Sequence, residues 1–362
     1  RDPSSLPRHR MRTPPVSLAA RLSPSHIARH VSVPPVPTRR SLRLVRLRAS
    51  ALPPNSMDPV AQSSPVPLFD AGVPISDLPW GVKDARARAT EPRVESRTFT
   101  YHDGDLPLEG YMAWVPELLN DSSRGQVSLP GVVVAHTAIG PQEVFIHSCV
   151  DALARLGYCA MALDMFGAGA CVFDKTQRDA IMNPLRENRE LQAKRGKAGV
   201  DALAMQPECA EERGICAIGF CLGGQVVLDI ARAKCCNSLE GVVSFHGILD
   251  DPKTLKSPKN SNANQPAGVF ILHGEEDPFS PRSQTLACLD GLDERSLMND
   301  MTAFPQTKHA FTRPEKNTKA DDDAGFQYHP MSAKVGWNTC KTLLETWLCE
   351  DDDEDEDEDD SD

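Results

Sequence analysis

Three side chains able to share one reaction follow one another as nucleophile, acid and base. Cys221 lies in Gly219-Phe220-Cys221-Leu222-Gly223-Gly224, Asp277 in Gly274-Glu275-Glu276-Asp277-Pro278, and His309 in Thr307-Lys308-His309-Ala310-Phe311. A thiol attacks as its thiolate, and an imidazole within reach can take the proton and later return it to a leaving group. A carboxylate behind the imidazole fixes its tautomer and stabilises the imidazolium. Such a set can open an ester, lactone or thioester through an acyl-enzyme. The oxyanion that develops needs two N–H donors, and the best placed are the backbone groups of Leu222, just after the nucleophile, and Ala138, in the loop after the apolar run 131–136. Glu275 and Glu276 are competing acids, with Asp277 preferred because it begins the loop and precedes Pro278. His246 and His273 are expected to line or support the cleft, and His136 and His147 to be structural.

The surrounding pattern supplies elements to hold these groups. Residues 96–101, the turn at 102–105 and residues 108–115 alternate polar and apolar around an Asp-Gly pair, the signature of a hairpin. Continuous apolar runs at 131–136, 158–164, 214–220, 241–247, 268–274 and 301–305 read as strands covered on both faces. Between or after them lie helical stretches at 148–156, with Gly157 as the stop, 184–205, 225–231, 283–289 and 333–348. Strands alternating with helices predict an α/β fold: a mostly parallel central sheet with helices on both faces, opened by an N-terminal hairpin. In such sheets ligands bind at the carboxyl ends of the strands, where Cys221, Asp277 and His309 all fall.

The Gly-x-Cys-x-Gly frame and the chain order match the nucleophile elbow of the α/β-hydrolase fold with sulfur in place of oxygen. The six residues 219–224, together with His309-Ala310-Phe311-Thr312-Arg313, resemble the dienelactone hydrolases (carboxymethylenebutenolidases) over most of residues 95–349. The resemblance implies a hydrolase of lactone or ester bonds with a small, acidic substrate. It also implies that Arg313 helps hold the substrate carboxylate, aided by a second arginine, Arg189 or Arg195. One position departs from the family: Thr137 stands where a glutamate normally controls ionisation of the resting cysteine, and Glu143 is the nearest replacement. Loss of that glutamate leaves open a non-catalytic ligand-binding or thiol redox-sensing protein on the same fold.

Composition bounds the remaining readings. Residues 1–64 are expected to form a disordered Arg/Pro/Ser-rich segment; the first 57 residues contain eleven Arg and one acid, the character of an organelle transit peptide. Residues 65–349 read as one dienelactone hydrolase-like domain. Residues 350–362 hold twelve acids in thirteen positions, as many as the net charge of −12, and are expected to be a solvated acidic tail. No basic, aromatic-laced groove suggests nucleic acid, no apolar run suggests a membrane, and nothing identifies a protein partner. The eleven cysteines lack metal-ligand spacing, so no metal or cofactor is expected and the thiols should be reduced, in the cytoplasm or an organelle stroma.

Overall fold

The computed structural model describes residues 92–119, 128–257, 266 and 268–348; the expectations for residues 1–64, the tail 350–362 and the Ser/Asn/Lys-rich insert near 257–265 lie essentially outside them. A hairpin of β1 (Glu95–Asp103) and β2 (Leu106–Trp114) opens the domain, turning at Gly104 with a φ of 61°. The parallel strands are β3 (Gly131–Ala135), β4 (Cys159–Leu163), β5 (Ile215–Phe220), β6 (Leu239–Phe245), β7 (Gly268–Gly274) and β8 (Asn299–Phe304). They assemble in the order β1-β2-β4-β3-β5-β6-β7-β8, with β2 antiparallel to β4 and every later pairing parallel. This is the α/β-hydrolase arrangement.

Alternation within the buried strands divides the core into two layers. Val133 and Ala135 of β3, and Ile215 and Ala217 of β5, join one apolar cluster; Val132, Val134, Cys216, Ile218 and Phe220 join the other. The first layer is closed by α4 (Arg189–Ala204) and α5 (Leu222–Ala233), which contribute Val200, Leu203, Val226 and Ile230. The second is closed by α2 (Val144–Arg155) and α8 (Pro330–Leu348), with Ile146, Val150, Leu153, Trp337 and Leu344. A strand covered on both faces must be apolar throughout, which is why these runs read so clearly.

The helical stretch expected at 184–205 is two helices. The first, α3, spans Lys175–Glu187 with Pro184 in its last turn, and α4 starts at Arg189. Asn188 makes the break: its backbone leaves helical geometry at φ −111°, ψ 85°, and its side chain accepts the Leu191 N–H at 3.0 Å as the new N-cap. The helix expected from 148 begins at Val144. Short helices α1 (Pro116–Leu119) and α7 (Lys319–Asp323) and the longer α6 (Arg282–Glu294) complete the set described.

Register brings the elbow glycines against neighbouring backbone. Gly219 pairs with Ala135 on one side and Ser244 on the other. A Cβ on Gly219 would lie 2.1 Å from Gly223 O, and one on Gly223 only 2.0 Å from Ala135 O. Because both obstacles are main chain, they cannot rotate aside. Gly223→Ala is therefore expected to cost about 3 kcal/mol or more, or to abolish soluble folding, read as a fall in the urea midpoint.

Candidate active site

Strand β5 ends at Phe220, and Cys221 turns the chain into α5 with φ 57° and ψ −112°. Such a conformation costs a non-glycine residue about 1–3 kcal/mol and persists only where its surroundings enforce it. Here the Cys221 N–H donates to Phe245 O at 3.1 Å, and Gly219, Gly223 and Gly224 allow strand, helix and the Ser244–Gly247 turn to close around it. The sulfur is thereby presented at the amino end of α5, where the helix dipole favours negative charge.

The loops after β7 and β8 are pinned together before they deliver the other two groups. Glu275 N–H donates to Phe304 O and Glu276 N–H to Thr307 O, both at 2.9 Å, and Gly274 leaves room for this approach. Asp277 then points inward while Glu275 and Glu276 are exposed. Its Oδ1 accepts the Phe279 N–H at 2.8 Å, and its Oδ2 accepts from His309 Nδ1 at 2.7 Å. Phe279, Phe326 and His246 surround the His309 ring at 4.9, 5.6 and 5.1 Å between centroids, which fixes its plane and excludes water.

His309 and the backbone N–H groups of Leu222 and Ala138 all favour negative charge on the Cys221 sulfur. These include both residues expected as oxyanion donors. Burial works against the thiolate, yet the facing imidazolium and the two N–H groups outweigh it and lower the Cys221 pKa. Burial likewise opposes charge on His309, but the Asp277 carboxylate and the Cys221 sulfur push its pKa up to about 10. Thiolate and imidazolium support each other, and the imidazole holds its proton until the pH rises through that value.

The loop after β3 that carries Ala138 is itself anchored. Ile139 O accepts the Val172 N–H at 2.8 Å, and Gly140, at φ 132°, packs where a Cβ would meet Ala170 O at 2.1 Å. The segment after β4 is in turn gathered by Asp164, whose carboxylate accepts from Glu109, Phe166, Gly167 and Gly169 N–H at 2.8–3.0 Å. The sequence signal for Asp164 is an acid at a strand end followed by Met-Phe-Gly-Ala-Gly, which the reading from spacing does not single out.

Thr137 is paired with the carboxylate of Glu143. Thr137 Oγ1 donates to Glu143 Oε2 at 2.6 Å and accepts from Ile139 N–H at 3.2 Å. Glu143, buried at the start of α2, also pairs with Arg313. Burial is the largest influence on Glu143 and raises its pKa, against the opposing pull of the Arg313 guanidinium.

The three arginines expected at the substrate fare differently. Arg313 is buried over the Phe145 ring, 5.2 Å from its centroid, and its guanidinium is held by Glu143 and by Glu315, the latter at 2.5 Å. Arg189 is engaged inside the protein. It grips Asp229 of α5 through Nε and Nη2 at 2.5 and 2.7 Å, and Asp250 through Nη1 at 2.6 Å, so its donors serve the packing of α4 on α5. Arg195 is likewise engaged, with Asp103 of the hairpin at 3.2 Å and Met165 O at 2.7 Å. A long charged side chain chooses its partner by reach in three dimensions, which spacing does not encode. His246 Nε2 pairs with Thr312 Oγ1 at 2.8 Å, and His136 Nε2 accepts the Met165 N–H at 3.1 Å, both as supports. His273 meets Thr285 Oγ1 at 3.4 Å, and His147 stacks on Tyr111 at 3.9 Å.

Among the described residues no group of three or more His, Cys, Asp or Glu could hold a metal ion, and no helix is long and apolar enough to cross a membrane. The family model of the dienelactone hydrolases matches residues 121–348. An uncharacterized protein of Caenorhabditis elegans is 26% identical over 149 residues, which is 41% of this chain and 89% of that protein. The crystal structure of P91, a dienelactone hydrolase-like promiscuous phosphotriesterase from metagenomic libraries, superposes with a TM-score of 0.60 at 25% identity, over 70% of this chain and 99% of P91. An acylaminoacyl peptidase of Pyrococcus horikoshii, 16% identical with a TM-score of 0.50 over 74% of this chain and 44% of its own, shares the fold.

The charge balance around Cys221 predicts its reactivity. Iodoacetamide should alkylate it at lower pH than it does an ordinary cysteine thiol, the rate falling as acid protonates the thiolate. In His309→Ala burial acts without the imidazolium, so the rate profile should move to higher pH and the neutral rate drop about tenfold or more, as followed by mass spectrometry of the Cys221 peptide.

Proposed function

The chain belongs to the dienelactone hydrolase family and has its hydrolase fold, and on that footing we propose that it cleaves an ester, lactone or thioester bond through Cys221, His309 and Asp277. The observation that carries this reading is the imidazole of His309 backed by the Asp277 carboxylate, beside a cysteine presented at a helix start by a backbone turn strained enough to need enforcement, with its thiolate favoured by that imidazole and two backbone N–H groups.

Each group has a step. The Cys221 thiolate attacks the acyl carbon, and the oxyanion formed is received by the Leu222 and Ala138 N–H groups that faced the sulfur in the resting state. His309 carries the proton, giving it to the departing alkoxide or thiolate from its Nε2 side while Asp277 holds Nδ1. Water, deprotonated by the same imidazole, then releases the acid and regenerates the thiolate. Sulfur is a soft nucleophile and its acyl thioester is readily hydrolysed, which suits activated esters and enol lactones rather than peptides. P91 is described as a promiscuous phosphotriesterase, so activated uncharged esters belong in the substrate screen.

Arg313 has a further part in this proposal. With Glu143 and Glu315 on its guanidinium, it meets a substrate carboxylate only if one of those partners yields. Anionic and neutral lactones should therefore be compared side by side.

The full chain should hydrolyse p-nitrophenyl acetate with an initial burst of p-nitrophenol and should also open a dienelactone. Cys221→Ala and His309→Ala should each lose about a thousandfold or more in kcat/KM while remaining folded. No turnover of either compound by the folded wild type would instead favour the ligand-binding or thiol-sensing reading.

A further inference from the structure

The helix that begins at the nucleophile ends at a second pair of sulfurs. After α5 the chain turns at Lys234, in the left-handed conformation at φ 47°, ψ 44°, and Cys235 and Cys236 follow directly. Consecutive side chains in an extended or helical segment point apart; here the turn brings the two sulfurs to 3.9 Å. Cys236 is buried in the apolar layer beside Leu239 and Val242, whereas Cys235 is half-buried and packs against that layer from the surface side. A helix of twelve residues is about 18 Å long, so this pair lies well removed from Cys221.

The surroundings give the two thiols unequal roles. The S–H of Cys236 and, against the cost of burial, the ammonium of Lys197 on α4 favour the thiolate of Cys235. Lys197 is itself paired with Asp201, which tempers its field without removing it. The neighbouring Cys235 sulfur and then burial push the Cys236 thiol up. A partly exposed sulfur in contact with a buried one is the arrangement of an attacking and a resolving cysteine.

The geometry points to Cys235 and Cys236 as a redox modification site, separate from the catalytic sulfur, that a hydroperoxide converts to a disulfide between adjacent residues. The Cys235 thiolate attacks one oxygen of the hydroperoxide; the O–O bond breaks, Cys235 becomes a sulfenic acid and the other oxygen leaves as alkoxide or hydroxide, which takes up a proton. The Cys236 sulfur then attacks the sulfenic sulfur, the S–O bond breaks, and hydroxide leaves with the thiol proton as water. Two thiols give up two electrons and two protons, and the hydroperoxide is reduced to an alcohol, or to water, plus one further water. Consecutive Cα atoms lie about 3.8 Å apart, closer than ordinary disulfides span, so the bond is expected to be readily reduced by a dithiol.

The test uses the reduced full chain and hydrogen peroxide, followed by alkylation, proteolysis and mass spectrometry. The peptide holding Cys235 and Cys236 should lose both alkyl labels, become lighter by two hydrogens, and regain both labels after dithiothreitol. In Cys236→Ser the reaction should stop at a Cys235 sulfenic acid trapped by dimedone, and in Cys235→Ser residue 236 should stay fully labelled. Both sulfurs still labelled after Cys221 has been oxidised would overturn the proposal. So would a Cys235 sulfenic acid beside a labelled Cys236 in the wild type, or a disulfide from Cys235 to any other cysteine.

Discussion

The bend at Cys221 is the constraint on which the rest of the domain turns. A side chain at φ 57° is tolerable only if the main chain around it is denied every alternative, and the denial comes from three sides. Phe245 O accepts the Cys221 N–H, Gly223 is pressed on Ala135 O, and Gly224 on the Ser244–Gly247 turn. Three parallel strands, β3, β5 and β6, must therefore be in register before Cys221 takes this conformation. This ties the candidate site to the folding of the sheet centre, and it explains why the glycines answer to backbone approach rather than to flexibility.

Charge is the second layer of organisation. Burial penalises every ion in the site, so each is kept by a partner: thiolate by imidazolium, imidazolium by Asp277, and Arg313 by Glu143 and Glu315. Thr137 in the loop after β3 is paired with Glu143, a carboxylate supplied from the start of α2. The same economy governs the flanks, where Arg189, Arg195 and Asp229 lock helices to each other and to the hairpin.

Most of the fold was legible because strands buried on both faces are continuous apolar runs, and the hairpin alternates around Asp103-Gly104. The candidate triad was legible for a related reason: its members fall at strand ends in a fixed chain order. The helix break at Asn188 was not, since the helical period runs on through it and the break is made by its non-helical backbone and its side-chain cap to Leu191. Nor were the carboxylates Asp229, Asp103 and Glu143 that hold Arg189, Arg195 and Arg313 from 40, 92 and 170 positions away. Cys235 and Cys236 were visible as neighbours, but the approach of their sulfurs depends on the left-handed turn at Lys234.

The claim that Cys221 is an acylated nucleophile is tested most directly by acid-quenching the full chain within its first turnovers of p-nitrophenyl acetate and locating the acetyl group by peptide mass spectrometry. The account predicts acetyl on Cys221, formed during the burst, lost on further incubation and longer-lived in Asp277→Asn. A folded protein that releases p-nitrophenol with no acetyl on Cys221, or with stable acetyl on another residue, would contradict it.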